Sequence, residues 1–293
     1  MTTIRDALHY GRQQLASMKQ SSSQSTRQEA QLLLEQVLHT DRATLYAHAE
    51  QVLTAEQERE YFALLQRRLQ YEPLSYILGQ QEFYGYEFVV DRRVLIPRPE
   101  TELLVEETLR ILRERLDRGR VPLVADIGTG SGAIPITLAL EEPHLPTLFA
   151  VDISTGALDV ARLNCERHNV TSRVHLLHGD LLAPLPEAVD VITANLPYVG
   201  LNERDILTPD VYDYEPHLAL FSGQQGLDLL QRFLLEVRQE QDKKIHAGAV
   251  LLLEIGYRQR EPLMAMIEMV LPGVHVISKK DYAGWDRMLQ VYL

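Results

Sequence analysis

The sequence predicts an α/β protein built on a seven-stranded sheet with helices on both faces, together with a small N-terminal helical bundle and a linking β-hairpin. Three observations predict it. Apolar residues recur at helical spacing through the first 70 positions. A cluster of β-forming residues follows at 83–96. From Val121 onward, short apolar runs alternate with helical stretches.

The helical segment carries its own start signals. Thr3 with Asp6, Thr26 with Glu29 and Thr54 with Gln57 each have the spacing of a capping box or a close variant. Ala30, Leu33, Leu34, Val37 and Leu38 then mark one helix, and Phe62, Leu65 and Leu69 another. Ser21, Ser22 and Ser23 read as a loop too short to be a disordered linker. His9, His39 and His48 lie in no metal-ligand spacing and are expected on the surface or in the core. Residues 1–75 are therefore expected to form one domain.

Phe83, Tyr84, Tyr86, Phe88, Val89 and Val90 are β-formers, and Val94-Leu95-Ile96 follows Asp91-Arg92-Arg93. That pattern predicts a hairpin, ended by Pro97 and Pro99, within a linker at 76–97. A helix is expected from about Glu100 through Leu112. Strands are expected at 123–127, 147–152, 174–178, 189–194, 249–255, 274–278 and 288–292, all within a domain at 98–293.

Composition narrows the function classes. With 29 Lys and Arg against 41 Asp and Glu, the formal charge of −12 argues against a nucleic-acid backbone as the main partner. A single cysteine, Cys165, excludes an internal disulfide and a multi-cysteine zinc site, and a buried structural thiol is expected. The N-terminus has no apolar leader and no run reaches the roughly 18 apolar residues of a membrane span, so a cytoplasmic protein is expected.

The chemistry concentrates at the ends of the predicted strands. The first ends in Asp126-Ile-Gly128-Thr129-Gly130-Ser131-Gly132-Ala133, where glycines let the backbone turn sharply and approach a ligand. This also fits a dinucleotide fingerprint. Asp126 before the first glycine suits a cationic ligand instead, and S-adenosylmethionine carries an ammonium and a sulfonium. Asp152 ends the second strand, placed to accept from ribose hydroxyls. Asp180 follows the third, placed to accept from an adenine amino group, with Leu181 to pack on the ring. The fourth strand runs directly into Asn195-Leu196-Pro197-Tyr198. An amide nitrogen is a poor nucleophile, and fixing it requires acceptors for both N–H groups. The Asn195 side-chain oxygen and a loop carbonyl supply two. Pro197 holds Leu196 out of the helical region, and Tyr198 offers a flat face. Alone, this loop fits a glutamine amide and an adenine about equally.

Longer stretches resemble the HemK/PrmC family of protein-(glutamine-N5) methyltransferases. They are Glu72-Pro-Leu-Ser-Tyr-Ile-Leu-Gly79, Glu82-Phe-Tyr-Gly85, Leu95-Ile-Pro-Arg-Pro-Glu-Thr-Glu102, the 126–133 loop, Glu215-Pro216, Gly226-Leu-Asp228, Leu253-Glu-Ile-Gly256 and Asp281-Tyr-Ala-Gly284. The resemblance implies a Rossmann-like class I methyltransferase sheet and S-adenosylmethionine as cofactor. It implies the glutamine of the Gly-Gly-Gln motif in class I peptide chain release factors as methyl acceptor, with residues 1–75 recognising the protein substrate. Gly128, Thr129, Gly130, Ser131, Gly132, Asp152, Asp180, Leu181 and Asn195 would contact the cofactor. Asn195, Leu196, Pro197 and Tyr198 would hold the amide, with Leu95, Arg98 and Glu100 near the substrate. An ion pair to Glu100 or Glu102 is the other role for Arg98. The family's loop is Asn-Pro-Pro-Tyr, so Leu196 is a departure. Asn-Leu-Pro-Tyr also occurs in adenine N6 dimethyltransferases of ribosomal RNA. The alternatives are therefore an adenine N6 methyltransferase on RNA or DNA, a glutamine methyltransferase of a ribosomal protein, and a non-enzymatic binder. No metal, membrane or stable nucleic-acid partner is expected.

Overall fold

A computed structural model describes residues 2–18 and 23–293, and the chain forms two compact units. The first comprises Met1–Gly79 with Thr208–Tyr214. Its N-terminal helices are α1 (Ile4–Leu15), α2 (Ser23–Leu38), α3 (Arg42–Ala47), α4 (Ala55–Leu69) and α5 (Leu74–Leu78). Capping boxes start α1 at Thr3 with Asp6 and α4 at Thr54 with Gln57. The expected box at Thr26 and Glu29 is corrected. Helix α2 already begins at Ser23, and Thr26 is a buried interior residue on the face that carries Ala30, Leu33 and Leu34. Of the expected serine loop, Ser21 and Ser22 lie outside the described residues and Ser23 is helical.

Tyr61 anchors this unit. Its ring is fully buried among α1, α2 and α4 side chains, and its hydroxyl donates to the Ala30 carbonyl at 3.2 Å. Gly11 of α1 is the residue that leaves room for it. The segment 208–214 belongs here through the Tyr214 hydroxyl, which donates to the Gln70 carbonyl at 2.7 Å.

The second unit, Gln80–Leu207 with Glu215–Leu293, opens with β1 (Gln80–Phe83) and β2 (Tyr86–Val89). These pair antiparallel around Tyr84 and Gly85, both at positive φ. The hairpin expected to turn at 91–93 therefore turns earlier. A two-residue turn with both φ positive matches the twist of the strands, whereas Val94, Leu95 and Ile96 form no strand. Asn164 ties this hairpin down. Its side chain accepts from the Val89 amide at 2.7 Å and donates to the carbonyls of Val89 and Ser131 at 3.0 and 2.9 Å.

The sheet strands are β3 (Val124–Ile127), β4 (Leu148–Asp152), β5 (Val174–His178), β6 (Val189–Ala194), β7 (Ile245–Glu254), β8 (His275–Lys280) and β9 (Asp286–Tyr292). Their order is β5-β4-β3-β6-β7-β9-β8, with β9 antiparallel to both neighbours. The helices are α6 (Glu102–Asp117), α7 (Ala133–Glu141), α8 (Thr155–Arg167), the short α9 (Pro209–Tyr214) of the first unit, α10 (Asp228–Glu240) and α11 (Arg260–Val270). Alternate strand residues point to opposite faces. Ala125, Ile127, Ile192 and Leu251 pack in a core with Phe233 of α10 and Ile267 of α11. Val124, Ala150, Val191 and Leu252 pack with Leu109 of α6, Ile136 of α7 and Cys165 of α8. The Cys165 thiol is buried, which raises its pKa to about 11. Chain order runs outward from β3 through β5 and then returns to β6, so a crevice opens between the carboxyl ends of β3 and β6. Among the described residues no helix is long and apolar enough to cross a membrane.

In an open helix interior, replacing glycine by alanine gains roughly 1 kcal/mol. At Gly11 the added methyl would collide with the Tyr61 hydroxyl oxygen. Gly11→Ala is therefore expected to lose about 1–3 kcal/mol through overpacking, read as a lower denaturation midpoint. Adding Tyr61→Phe should recover part of the loss, and a midpoint at or above wild type for Gly11→Ala alone would contradict this packing.

Candidate active site

A single cavity occupies the crevice, and every residue lining it belongs to the sheet unit. Its floor is the turn after β3. Gly128, Gly130 and Gly132 all adopt positive φ. The amides of Gly128 and Thr129 both donate to the Val151 carbonyl at 2.9 Å, which fastens the turn to β4. At Gly132 a side chain would meet Ile136 at 2.9 Å, whereas at Gly130 nothing lies within 4 Å. Gly132 is thus favoured by its positive φ of 80° and by its closeness to Ala161 of α8, and Gly130 leaves its space to the cavity. Gly128, Thr129, Gly130 and Ser131 line the wall, but Gly132 does not.

The three expected acids differ in environment. Asp126 is fully buried and does not itself line the cavity. Its Oδ1 accepts from the Thr193 hydroxyl at 2.7 Å, while Oδ2 and the buried Thr129 Oγ1 have no partner among the described residues. Burial raises the Asp126 pKa from 3.8 to about 6, against the pull of the Thr193 hydroxyl and of the Thr129 hydroxyl nearby. Asp152 lines the cavity and accepts the Gly130 amide on Oδ2 and the Ser154 amide on Oδ1, each at 2.8 Å. These bonds fix its carboxylate in place and leave lone pairs for a ligand. Burial is again the main cause of its raised pKa. Asp180 stands at the half-exposed mouth, paired with Arg232 of α10 at 2.5 Å. Leu181 beside it is buried, lines the wall and holds a left-handed φ of 45°.

Opposite the turn, Asn195, Leu196 and Pro197 line the cavity directly after β6. Asn195 Nδ2 donates to the Thr101 hydroxyl at 3.1 Å. The Leu196 side chain is buried in the core shared with β3 and β6, and its Cδ2 stands 3.0 Å from where a Gly128 side chain would begin. Leucine thus buttresses the glycine turn. Tyr198, expected to present a ring to substrate, is not on the cavity wall. Its ring packs against the core, its hydroxyl donates to Glu254 Oε1 at 3.2 Å, and its carbonyl accepts from Gln259 Nε2 at 2.8 Å. Burial raises its pKa.

The rim comes from the segment after the hairpin. Leu95, Pro97 and Arg98 line it. Arg98 pairs with the buried carboxylate of Glu215, not with Glu100 or Glu102, and Glu215 also accepts from the Ile96 amide at 3.4 Å. Glu100, expected near substrate, is exposed and off the wall, where Thr101 stands instead. The sequence alone assigned no role to Thr101, Thr193, Glu254, Arg232 or Gln259. A usable signal existed for Glu254, an acid closing an otherwise apolar run in β7. Among the described residues no group of three or more His, Cys, Asp or Glu is placed to hold a metal ion.

The Asp126 environment has a testable consequence. Its carboxyl pKa is raised on folding, so the native state binds more protons than the unfolded chain between 3.8 and about 6. Stability conferred by this group therefore falls as pH rises through that window. Asp126→Asn keeps an oxygen for Thr193 and removes the buried charge. The ligand-free variant should be more stable than wild type at pH 7 by on the order of 1–3 kcal/mol, with the gap closing at acid pH. Melting curves across pH check this, and a gap that is absent or widens on acidification would contradict it.

The comparisons with known proteins agree with the geometry. Residues 6–79 match a family model described as the PrmC N-terminal domain, and residues 103–208 match one described as the methyltransferase small domain. A release factor glutamine methyltransferase of Bacillus anthracis is 38% identical over 88% of this chain and 90% of its own length. One from Chlorobaculum tepidum is 42% identical over 90% and 89%. Among solved structures, the human Mettl16 catalytic domain in complex with a MAT2A 3'UTR hairpin has a TM-score of 0.57 at 16% identity, covering 78% of this chain and 81% of that one, a likeness of fold alone. With identities of 38% and 42% over about nine-tenths of its length, the chain belongs to the release factor glutamine methyltransferase family.

Proposed function

We propose that this chain transfers the methyl group of S-adenosylmethionine to the side-chain amide nitrogen (N5) of the glutamine in the Gly-Gly-Gln motif of class I peptide chain release factors, in the cytoplasm. One observation carries the reading. Asn195 and Pro197 open onto the same cavity as the glycine turn and Asp152, on adjacent parallel strands.

The residues fit the cofactor. The Thr129 hydroxyl on the cavity wall, with the Asp126 carboxylate buried behind it, suits a ligand that brings positive charge. In this reading Asp126 acts on the ammonium through its charge, and Gly128, Thr129, Gly130, Ser131 and Gly132 shape the turn around the amino-acid portion. Asp152 accepts from the ribose hydroxyls. Asp180 accepts from the adenine amino group once Arg232 yields, and Leu181 packs against the ring. When bound, the cofactor supplies a methyl group already activated by its sulfonium.

What remains for the protein is orientation. Asn195 Oδ1 accepts one glutamine N–H and the Leu196 carbonyl accepts the other, so the nitrogen lone pair is aimed along the transfer axis. Pro197 restricts the backbone of Leu196. Tyr198 holds the loop from behind through Glu254. Leu95 and Arg98 form the substrate side, with Glu100 on the exposed approach. The helical unit, which carries none of this chemistry, is assigned to recognition of the release factor. A formal charge of −12 supports a protein acceptor over a nucleic acid.

Transfer of labelled methyl to a purified release factor tests the reading. Wild type should label the factor and leave a Gly-Gly-Ala version unlabelled. Asn195→Ala should lower kcat by about 100-fold or more, as loss of a transition-state hydrogen bond does. Equal labelling of the Gly-Gly-Ala factor, or full activity of Asn195→Ala, would refute it.

A further inference from the structure

Behind the Asn195 loop, partly buried polar groups gather from the N-cap of α6, the loop after β6 and the end of β7. Asn195 Nδ2 donates to Thr101 Oγ1, and the Tyr198 hydroxyl donates to Glu254 Oε1. Glu254 is 2% exposed, and its Oε2 has no hydrogen-bond partner among the described residues. Thr101 is the hydroxyl beside it, close enough to favour the charged carboxylate. An ionised carboxylate only accepts, a hydroxyl gives one proton, and a carboxamide has one donating and one accepting end.

We propose that Thr101 and Glu254 form a relay that decides which end of the Asn195 carboxamide faces the cavity. Ionised Glu254 takes the Thr101 proton on its unpaired Oε2. The Thr101 oxygen is then left as an acceptor, so Asn195 must offer it Nδ2. That turns Asn195 Oδ1, which has no partner among the described residues, toward the cavity as an acceptor. Protonated Glu254 reverses the chain. It donates to Thr101, Thr101 donates to Asn195, and the amide presents N–H groups to a substrate that brings N–H groups of its own. Thr101 and Glu254 are positioning residues in this relay.

The groups around Glu254 set where the reversal falls. Burial favours the neutral acid and the Glu100 charge adds to it, while Arg287 of β9, Thr101 and the Tyr198 hydroxyl oppose it. Activity is therefore lost as pH falls through a raised Glu254 pKa, and the ionised form that works is the one present above it.

The relay rests on the proposed amide methylation, and three variants test it apart from that reading. Thr101→Val removes the hydroxyl at nearly constant volume, and Thr101→Ser keeps it. With wild type first shown to methylate the Gly-Gly-Gln glutamine, Thr101→Val should lower kcat at least about tenfold with cofactor affinity unchanged by calorimetry. Thr101→Ser should return kcat to within about threefold of wild type, under 1 kcal/mol in barrier. Glu254→Gln should lose the acid limb of the kcat–pH profile. If wild type fails to methylate a release factor, the function falls and the relay is still read directly. The Asn195 Nδ2 protons should be protected from exchange by NMR in wild type and Thr101→Ser, and exposed in Thr101→Val. Wild-type kcat in Thr101→Val, no recovery in Thr101→Ser, a retained acid limb in Glu254→Gln, or equal Nδ2 exchange in all three proteins would each overturn the relay.

Discussion

The pairing of β3 with β6 is the constraint on which the site depends. In that parallel register Asp126 stands opposite Thr193, and the Thr193 hydroxyl bonds the Asp126 carboxylate across the strands. The two strands end together, so the turn at Gly128 and the loop at Asn195 leave the sheet side by side. Leu196 then reaches beneath Gly128 and packs into the core common to both strands. A slip of one residue would put Asp126 on the opposite face of the sheet and move an apolar neighbour into its place.

The same face carries a second buried acid, Glu254 on β7, and both carboxyls are pushed toward their neutral forms by burial. Each keeps one oxygen unpaired. Unpaired buried oxygens destabilise a fold, and here they stand behind the two loops that line the cavity. The two apolar cores, one on each face of the sheet, hold them in place. Under the proposed reaction the two acids divide the work. Asp126 meets the positive charge of the cofactor, and Glu254 acts at one remove by setting the polarity of the loop that meets the acceptor amide.

Much of this was legible in the sequence because strand ends concentrate chemistry. Asp126, Asp152, Asp180 and Asn195 each follow a short apolar run, and the doubly wound order brings such ends together. Local signals were reliable where one residue dictated the backbone, as at the Thr3 and Thr54 caps. They misled where the deciding contact was tertiary. Thr26 has the spacing of a cap and is a core residue. The hairpin turns at Tyr84 and Gly85, where Gly85 takes positive φ freely and the Glu102 and Glu82 carboxylates accept the two turn amides, while Val94 and Ile96 are buried outside any strand. Long-range partners were invisible. Arg98 finds Glu215, 117 positions away, in preference to the acids beside it, and Thr101 finds Asn195, 94 positions away. Tyr198 looked like a platform for substrate and instead braces the loop, because Glu254 and Gln259 hold it. The missing proline at position 196 is answered by packing that only the folded chain displays.

The most direct measurement is the site of the transferred methyl. Tandem mass spectrometry of a release factor incubated with this protein and S-adenosylmethionine should place one methyl group on the side-chain amide of the Gly-Gly-Gln glutamine. A methyl group found on any other residue, or on RNA with the factor unmodified, would contradict the assignment of Asn195 as the acceptor that holds a glutamine amide.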